Sequence, residues 1–250
     1  MNKPFRSMAK LFAICILALK PMAVAQQPSA DRDLRVLLVS VKPDMLDEWT
    51  DLVKHEVLPA LKKAGIASVT TMQTVLGNVN EFQILTPLDK MSTLDLPPNL
   101  DRALGKEAGA RLSAKLRKCT MSSRSYLVTS VGAMSNPAPA DKTYPVRVYA
   151  RYRINPGKTA EYENIIKTEV LPQYNKAGIP MTYSRRGLGA TGAGEVVIVT
   201  QHANFAAIDG NAPLRKIMGE DAYNKLQSRT GMLRVLIDRI ARQHRPDLSY

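Results

Sequence analysis

"HEVLPALKKAGI" (His55–Ile66) and "TEVLPQYNKAGI" (Thr168–Ile179) are two versions of one twelve-residue stretch, 113 positions apart. The alignment runs without a gap from Arg35–Ile66 onto Val148–Ile179. It keeps Pro43/Pro156, Glu48/Glu161, Glu56/Glu169, Pro59/Pro172 and Gly65/Gly178, and it sets Trp49 against Tyr162, aromatic for aromatic. With an offset of 114, "LGKEAGARL" (Leu104–Leu112) meets "MGEDAYNKL" (Met218–Leu226), keeping Gly105/Gly219 and Ala108/Ala222. The one-residue step falls between two predicted strands, where a hairpin absorbs insertions. Self-similarity at a fixed offset marks a repeated structural unit. The sequence therefore reads as a tandem duplication of roughly a hundred residues.

Each copy yields the same order of elements. "RVLLVSV" (Arg35–Val41) and "VRVYARYRI" (Val146–Ile154) are β-branched or alternating and read as strands. A turn follows, then a helix in which Leu46, Trp49, Val53, Val57 and Leu61 form one apolar stripe at three- and four-residue intervals. Gly65 and Gly178 terminate it. "SVTTMQTVL" with "EFQILT", and "MTYSRRGLGA" with "EVVIVTQH", read as hairpins. A second helical region is predicted near Leu100–Lys118 and Leu214–Gln227, and a last strand at Ser125–Val131 and Met232–Ile240. The order β-α-β-β-α-β is the ferredoxin-like unit. Pro59 and Pro172 lie late in the first helix, each lacking an N–H and crowding the carbonyl four residues back, so a bend is expected there.

The predicted organisation is a signal peptide at 1–25, an N-terminal linker at 26–33, a first ferredoxin-like unit at 34–131, a Pro/Ala-rich linker at 132–143, and a second unit with a basic C-terminal tail at 144–250. The leader has Lys3, Arg6 and Lys10, then the short apolar run "LFAICILAL", then "AVA" before Gln26, the pattern that signal peptidase cuts after Ala25. The apolar run is too short to span a bilayer, so the mature protein is not expected to be membrane-spanning. A periplasmic or secreted location follows.

The chain carries 35 basic and 22 acidic residues. Removing the leader's four cations leaves 31 against 22, still clearly basic. An exported basic protein meets anionic envelope components rather than nucleic acid. Only Cys119 survives cleavage, so no intramolecular disulfide forms in the mature chain.

The "PxxxxEW/EY" helix entry, the "EVLP" inside the helix and the "G(K/E)(E/D)A" of the second helix resemble the dimeric α+β barrel superfamily, in its NIPSNAP-like and antibiotic-biosynthesis-monooxygenase-like branches. The resemblance covers nearly all of the mature chain, once per half. It implies an α+β fold in which two four-stranded antiparallel sheets face each other, with helices outside, here as an intramolecular α+β barrel. The superfamily includes cofactor-independent monooxygenases, haem-handling enzymes, isomerases and members with no demonstrated activity, so fold leaves function open.

Strand alternation sends Val148, Ala150, Tyr152 and Ile154 toward the helices, and Arg147, Tyr149, Arg151 and Arg153 toward the facing sheet. The aligned first-half positions Val36, Leu38 and Ser40 are mostly apolar, so the second half brings the cations. Such arginines either meet an anionic ligand or pair with Asp238 and other acids. Glu56 and Glu169, at the edge of the helical stripe near Trp49 and Tyr162, are candidates for an acid or base, or for a salt bridge with Lys63, Lys176 or a strand arginine. His202 alternates with Val196, Ile198 and Thr200, whereas His55 falls on the solvent face of its helix.

Other signals are missing. There is no Cys/His cluster with zinc spacing, no GxSxG elbow, and "GLGATGAG" (Gly187–Gly194) lacks the Lys-Ser/Thr ending of a phosphate loop. No metal and no cofactor are expected. The candidate ligand-binding residues are Trp49, Glu56, Tyr149, Arg151, Tyr162, Glu169, Tyr183 and His202. The reading that follows is an exported protein of unassigned activity that binds a small apolar or weakly anionic molecule between sheet and helices. Two alternatives stay open: a cofactor-independent monooxygenase-like enzyme using Trp49, Tyr162, Tyr183 or a stripe-edge glutamate, and an envelope-associated structural protein with a basic surface. A homo-oligomer is compatible with all three.

Overall fold

The computed structural model describes residues 30–139, 142–209 and 213–250. The leader assigned to 1–25 and residues 26–29 lie outside them. The first half runs β1 (Arg32–Val41), α1 (46–63), β2 (Thr70–Leu76), β3 (Glu81–Pro87), α2 (Asn99–Leu104), α3 (Lys106–Cys119) and β4 (Thr120–Ser130). The second runs β5 (Val146–Ile154), α4 (159–176), β6 (Met181–Arg186), β7 (Glu195–His202), α5 (Pro213–Met218), α6 (Glu220–Gly231) and β8 (Arg234–His244).

The eight strands close into one antiparallel barrel in the order β1-β3-β2-β8-β5-β7-β6-β4. Within it the first half contributes β4-β1-β3-β2 and the second β8-β5-β7-β6. They are joined at a β2–β8 seam (Thr74 opposite Arg242) and a β4–β6 seam (Val128 opposite Arg186). Closure leaves no free sheet edge. Alternate residues of each strand point into the barrel, and the others face the helices.

Two cores form on the helix side. One holds Val39, Val41, Trp49, Leu52, Val53, Phe82 and Leu112, and the other holds Tyr162, Ile165, Ile166, Tyr183, Val196 and Leu226. These residues are the apolar stripes of α1 and α4 meeting the outward rows of the strands, which is what their spacing dictates.

The bend expected at the prolines takes a specific form. Val53–Val57 and Ile166–Val170 are π-helical turns at matching positions, followed by Leu58–Lys63 and Leu171–Lys176 as ordinary α-helix. Leu58 N–H donates to the Val53 carbonyl and Leu171 N–H to the Ile166 carbonyl, five residues back. Widening the turn moves the His55 and Thr168 carbonyls away from the proline rings. The second helical region is broken in each half at Gly105 (φ 84°) and Gly219 (φ 81°), a backbone conformation that only glycine adopts cheaply. That break splits what periodicity alone merges.

The segments after β4 and β8 differ most from the sequence reading. Residues 132–136, assigned to a linker, form a 3-10 turn at Gly132–Met134 and then bridge to β6 through Asn136 and Met181. The tail after β8 repeats this on the other half. It has a 3-10 turn at Pro246–Leu248, after which Tyr250 and Val69 exchange backbone hydrogen bonds at 2.9 Å. Ser135 Oγ accepts from Tyr183 N–H at 3.0 Å, and Ser249 Oγ accepts from Thr71 N–H at 2.9 Å. Met134 enters the second-half core and Leu248, fully buried, the first-half core. Each half thus covers the outer core of the other, and the basic tail is a structural cap. β1 also begins at Arg32, two residues before the unit boundary expected at 34.

Candidate functional site

The barrel encloses a cavity of about 680 Å³. Its first-half wall carries an aliphatic patch, from Leu34, Val36 and Leu38 of β1 and Leu85 of β3, beside the polar Ser40, Glu81 and Gln83. The second-half wall carries Arg147, Tyr149 and Arg151 of β5, Arg186 of β6, and Asp238 and Arg242 of β8. Arg32 and Arg124 add cations from the first half.

Three of these arginines have carboxylate partners. Arg151 pairs with Asp238, Arg186 with Glu195 at 2.7 Å, and Arg242 with Glu81 at 2.6 Å. Two also stack on tyrosines: Arg186 lies 3.9 Å from the Tyr126 ring centre and Arg242 lies 4.8 Å from that of Tyr149. Arg32, Arg124 and Arg147 have no carboxylate partner among the described residues. Burial pushes the Arg186 guanidinium down, and the nearby Arg151 and Arg124 act in the same direction against Tyr126 and Glu195. For Glu195, burial alone would raise the carboxyl. The Thr191 hydroxyl and the Arg186 and Arg151 guanidinia outweigh it and hold the group below its ordinary value.

Five buried side-chain atoms lack a hydrogen-bond partner among the described residues. Four of them, Gln83 Oε1, Arg147 Nε, Tyr149 Oη and Arg186 Nε, belong to residues lining this cavity. Buried polar atoms are nearly always paired, so their concentration here locates an incomplete polar network.

A second cavity, about 330 Å³, lies between the second sheet and its helices. Tyr152, Tyr174, Tyr223, Arg234 and Arg239 bring polar groups to walls of Val148, Ile166, Val170 and Ile198. Arg234 sits 3.6 Å from the Tyr152 ring centre and donates to Tyr162 Oη at 2.7 Å.

Of the residues singled out by sequence, Tyr149 and Arg151 line the barrel cavity. Trp49 is buried in the first-half core, its ring 4.5 Å from Phe82. Tyr162 and Tyr183 are fully buried in the second core, and burial pushes both phenols up. Tyr183 donates to Glu163 at 3.1 Å. His202 is buried on the helix-facing side of β7, its Nε2 2.9 Å from Thr200 Oγ1, and burial followed by Arg239 pushes it down. Glu56 pairs with Lys115 at 2.9 Å and Glu169 with Arg229 at 2.7 Å, each tying the first helix of its half to the later one. The partners expected from sequence, Lys63 and Lys176, are not the ones used: each lies seven residues on, two turns and about 10 Å along the helix axis.

Sequence reasoning missed Gln83, Tyr126, Arg186 and Arg242 in the cavity, and Glu195, the buried partner of Arg186. Alternation along "MTYSRR" and "EVVIVTQH" would have placed Arg186 with Ser184 and Glu195 with Val197, on the inward face. No group of His, Cys, Asp and Glu suited to a metal occurs among the described residues, and no described helix is long and apolar enough to cross a membrane.

No family model matches the chain, and no curated protein matches its sequence. Solved structures do match in three dimensions. A putative monooxygenase from Fusobacterium nucleatum superposes with a TM-score of 0.55 at 13% identity, covering 86% of this chain and 93% of that one. An anthrone oxidase-like protein gives 0.53 at 15%, covering 87% and 92%. A heme-binding protein from Thermus thermophilus gives 0.50 at 12%, covering 87% and 92%.

The haem-handling branch implies an axial histidine. The helix-side cavity has no histidine among its lining residues, His55 is exposed, and His202 lines neither cavity. The residues here do not fit that ligand set. At these identities the likeness establishes the fold: the chain is a mixed α+β protein closed as one antiparallel eight-stranded barrel.

Proposed function

We propose that the mature chain is an exported small-molecule-binding protein whose working site is the cavity inside the barrel, formed by a duplicated ferredoxin-like unit folded against itself. The carrying observation is the set of buried polar atoms without partners around a ligand-sized space, since pockets of about 300–1,000 Å³ with a few convergent polar groups are the usual form of a small-molecule site. The reading shifts the site from between sheet and helices to between the two sheets, where the larger cavity is. Matching π turns, glycine breaks and reciprocal caps support the duplication. The leader and residual positive charge support export and contact with anionic envelope components.

Native mass spectrometry of protein purified from its own source tests the site, alongside Leu38→Trp, which fills the cavity from the aliphatic wall. A retained small molecule that is lost in Leu38→Trp supports the reading. A retained molecule that is unaffected by Leu38→Trp contradicts it.

The monooxygenase-like reading draws on the names of the structural neighbours and on the phenols gathered at the smaller cavity. Of these phenols burial pushes that of Tyr174 up, as it does those of Tyr162 and Tyr183 in the adjoining core, away from acting as bases near neutral pH.

A further inference from the structure

The two walls of the barrel cavity are chemically unlike, and that difference constrains what fits between them. Leu34, Val36, Leu38 and Leu85 present an aliphatic patch, with Gln83 of β3 paired opposite Leu38 at its border. Opposite, Arg147 and Tyr149 sit two residues apart on β5 and point inward, with Arg147 Nε and Tyr149 Oη lacking partners. Arg147 has no carboxylate within reach among the described residues, although it is only partly exposed. Tyr149 is 6% exposed and Gln83, whose Oε1 is also unpartnered, 4%. The acids that line the cavity do not compensate: Glu81 and Asp238 are already committed to Arg242 and Arg151, and the buried Glu195 behind the lining is committed to Arg186. A donor pair with an excess of positive charge calls for an acceptor that is itself anionic, and guanidinium geometry matches a carboxylate. The unpaired Gln83 carbonyl calls for a donor on the same molecule.

We propose that the barrel binds an amphipathic organic carboxylate, its carboxylate held by Arg147 and Tyr149 and its compact apolar body laid against the β1–β3 wall, with a hydroxyl near Gln83 in the natural ligand. This rests on the barrel cavity being the ligand site. The proposal concerns binding alone, and no bond is made or broken.

Three probes with one body and different charge separate the possibilities: 1-naphthoate, 1-naphthalenemethanol and 1-naphthylmethylamine, titrated calorimetrically into the mature chain. The expected result is that naphthoate binds about 10- to 100-fold more tightly than the alcohol, the range a charged hydrogen bond supplies, and that the amine does not compete. Arg147→Met breaks no ion pair and should remove that advantage, bringing the affinity of naphthoate down to that of the alcohol. Tyr149→Phe should reduce it in part, and unfolding midpoints of both variants report whether the barrel is intact. Equal affinity for alcohol and naphthoate, or naphthoate binding indifferent to both substitutions, overturns the carboxylate assignment and leaves the cavity as the site. Displacement of naphthoate by an equal concentration of inorganic phosphate overturns the need for an apolar body. Failure of all three probes to bind the folded wild-type chain removes the site and this inference together.

Discussion

The outer chambers of the two halves share a frame but not a filling. At aligned positions the first half has Trp49, Val39, Leu61, Leu100, Leu112 and Leu116, and the second has Tyr162, Tyr152, Tyr174, Leu214, Leu226 and Thr230. In the first half Gly109 lets α2 lie so close to α3 that an added Cβ would meet Asp101 backbone atoms at 2.7–2.8 Å. The aligned residue in the second half is Tyr223, capped by Arg215 at 4.9 Å. Trp49 and Phe82 are buried in ring contact at the centre of the first chamber, while the second retains about 330 Å³. One backbone thus yields a stabilising core on one side and polar-rimmed space on the other, decided by side-chain volume at a few positions.

The largest expected break in the comparison is Trp49→Ala. It removes the centre of the first chamber and should cost about 3–5 kcal/mol in urea unfolding. Tyr162→Phe at the matching position loses only the hydrogen bond from Arg234, so about 1.5–3 kcal/mol is expected. A loss for Trp49→Ala no larger than for Tyr162→Phe would mean that Trp49 is not the packed centre of its chamber.

Glu195→Gln leaves Arg186 uncompensated in a pair whose side chains are 0% and 2% exposed, with an expected loss of about 3 kcal/mol near neutral pH. The sign with pH follows from the depressed carboxyl of Glu195. Its contribution is complete above the unfolded value of about 4.3 and is lost as pH falls through the lower folded value. The wild-type chain should therefore lose stability on acidification more steeply than Glu195→Gln. Parallel pH profiles would contradict this.

Met134→Ala and Leu248→Ala should each cost about 2–5 kcal/mol and fall close to one another, because each is the apolar plug by which one half caps the other. A neutral Leu248→Ala would return the tail to the role of a loose appendage.

Much of this frame was legible because it is periodic. The offset between the "EVLP" helices gave the order of elements. Strict alternation along "VRVYARYRI" sent Arg147, Tyr149 and Arg151 inward and Val148, Ala150 and Tyr152 outward. What was not legible depends on partners distant in sequence. Glu56 finds Lys115, Glu169 finds Arg229 and Arg242 finds Glu81, none of which local spacing can supply. The caps were hidden by composition. "SVGAMSNPAPA" reads as a linker from its small residues and prolines, and only the placement of Met134 beside the second core shows otherwise. The cavities were latent in aligned pairs such as Gly109/Tyr223, but a volume difference becomes a void only once the backbone around it is fixed.

The most direct test of an open, positively charged barrel interior is thiol labelling at Thr182→Cys, a cavity-lining position on β6 next to Val199. An anionic methanethiosulfonate should react about tenfold or more faster than a cationic one of similar size, with the difference shrinking as salt is raised. Equal rates for the two reagents, or no labelling of the folded protein by either, would contradict the account.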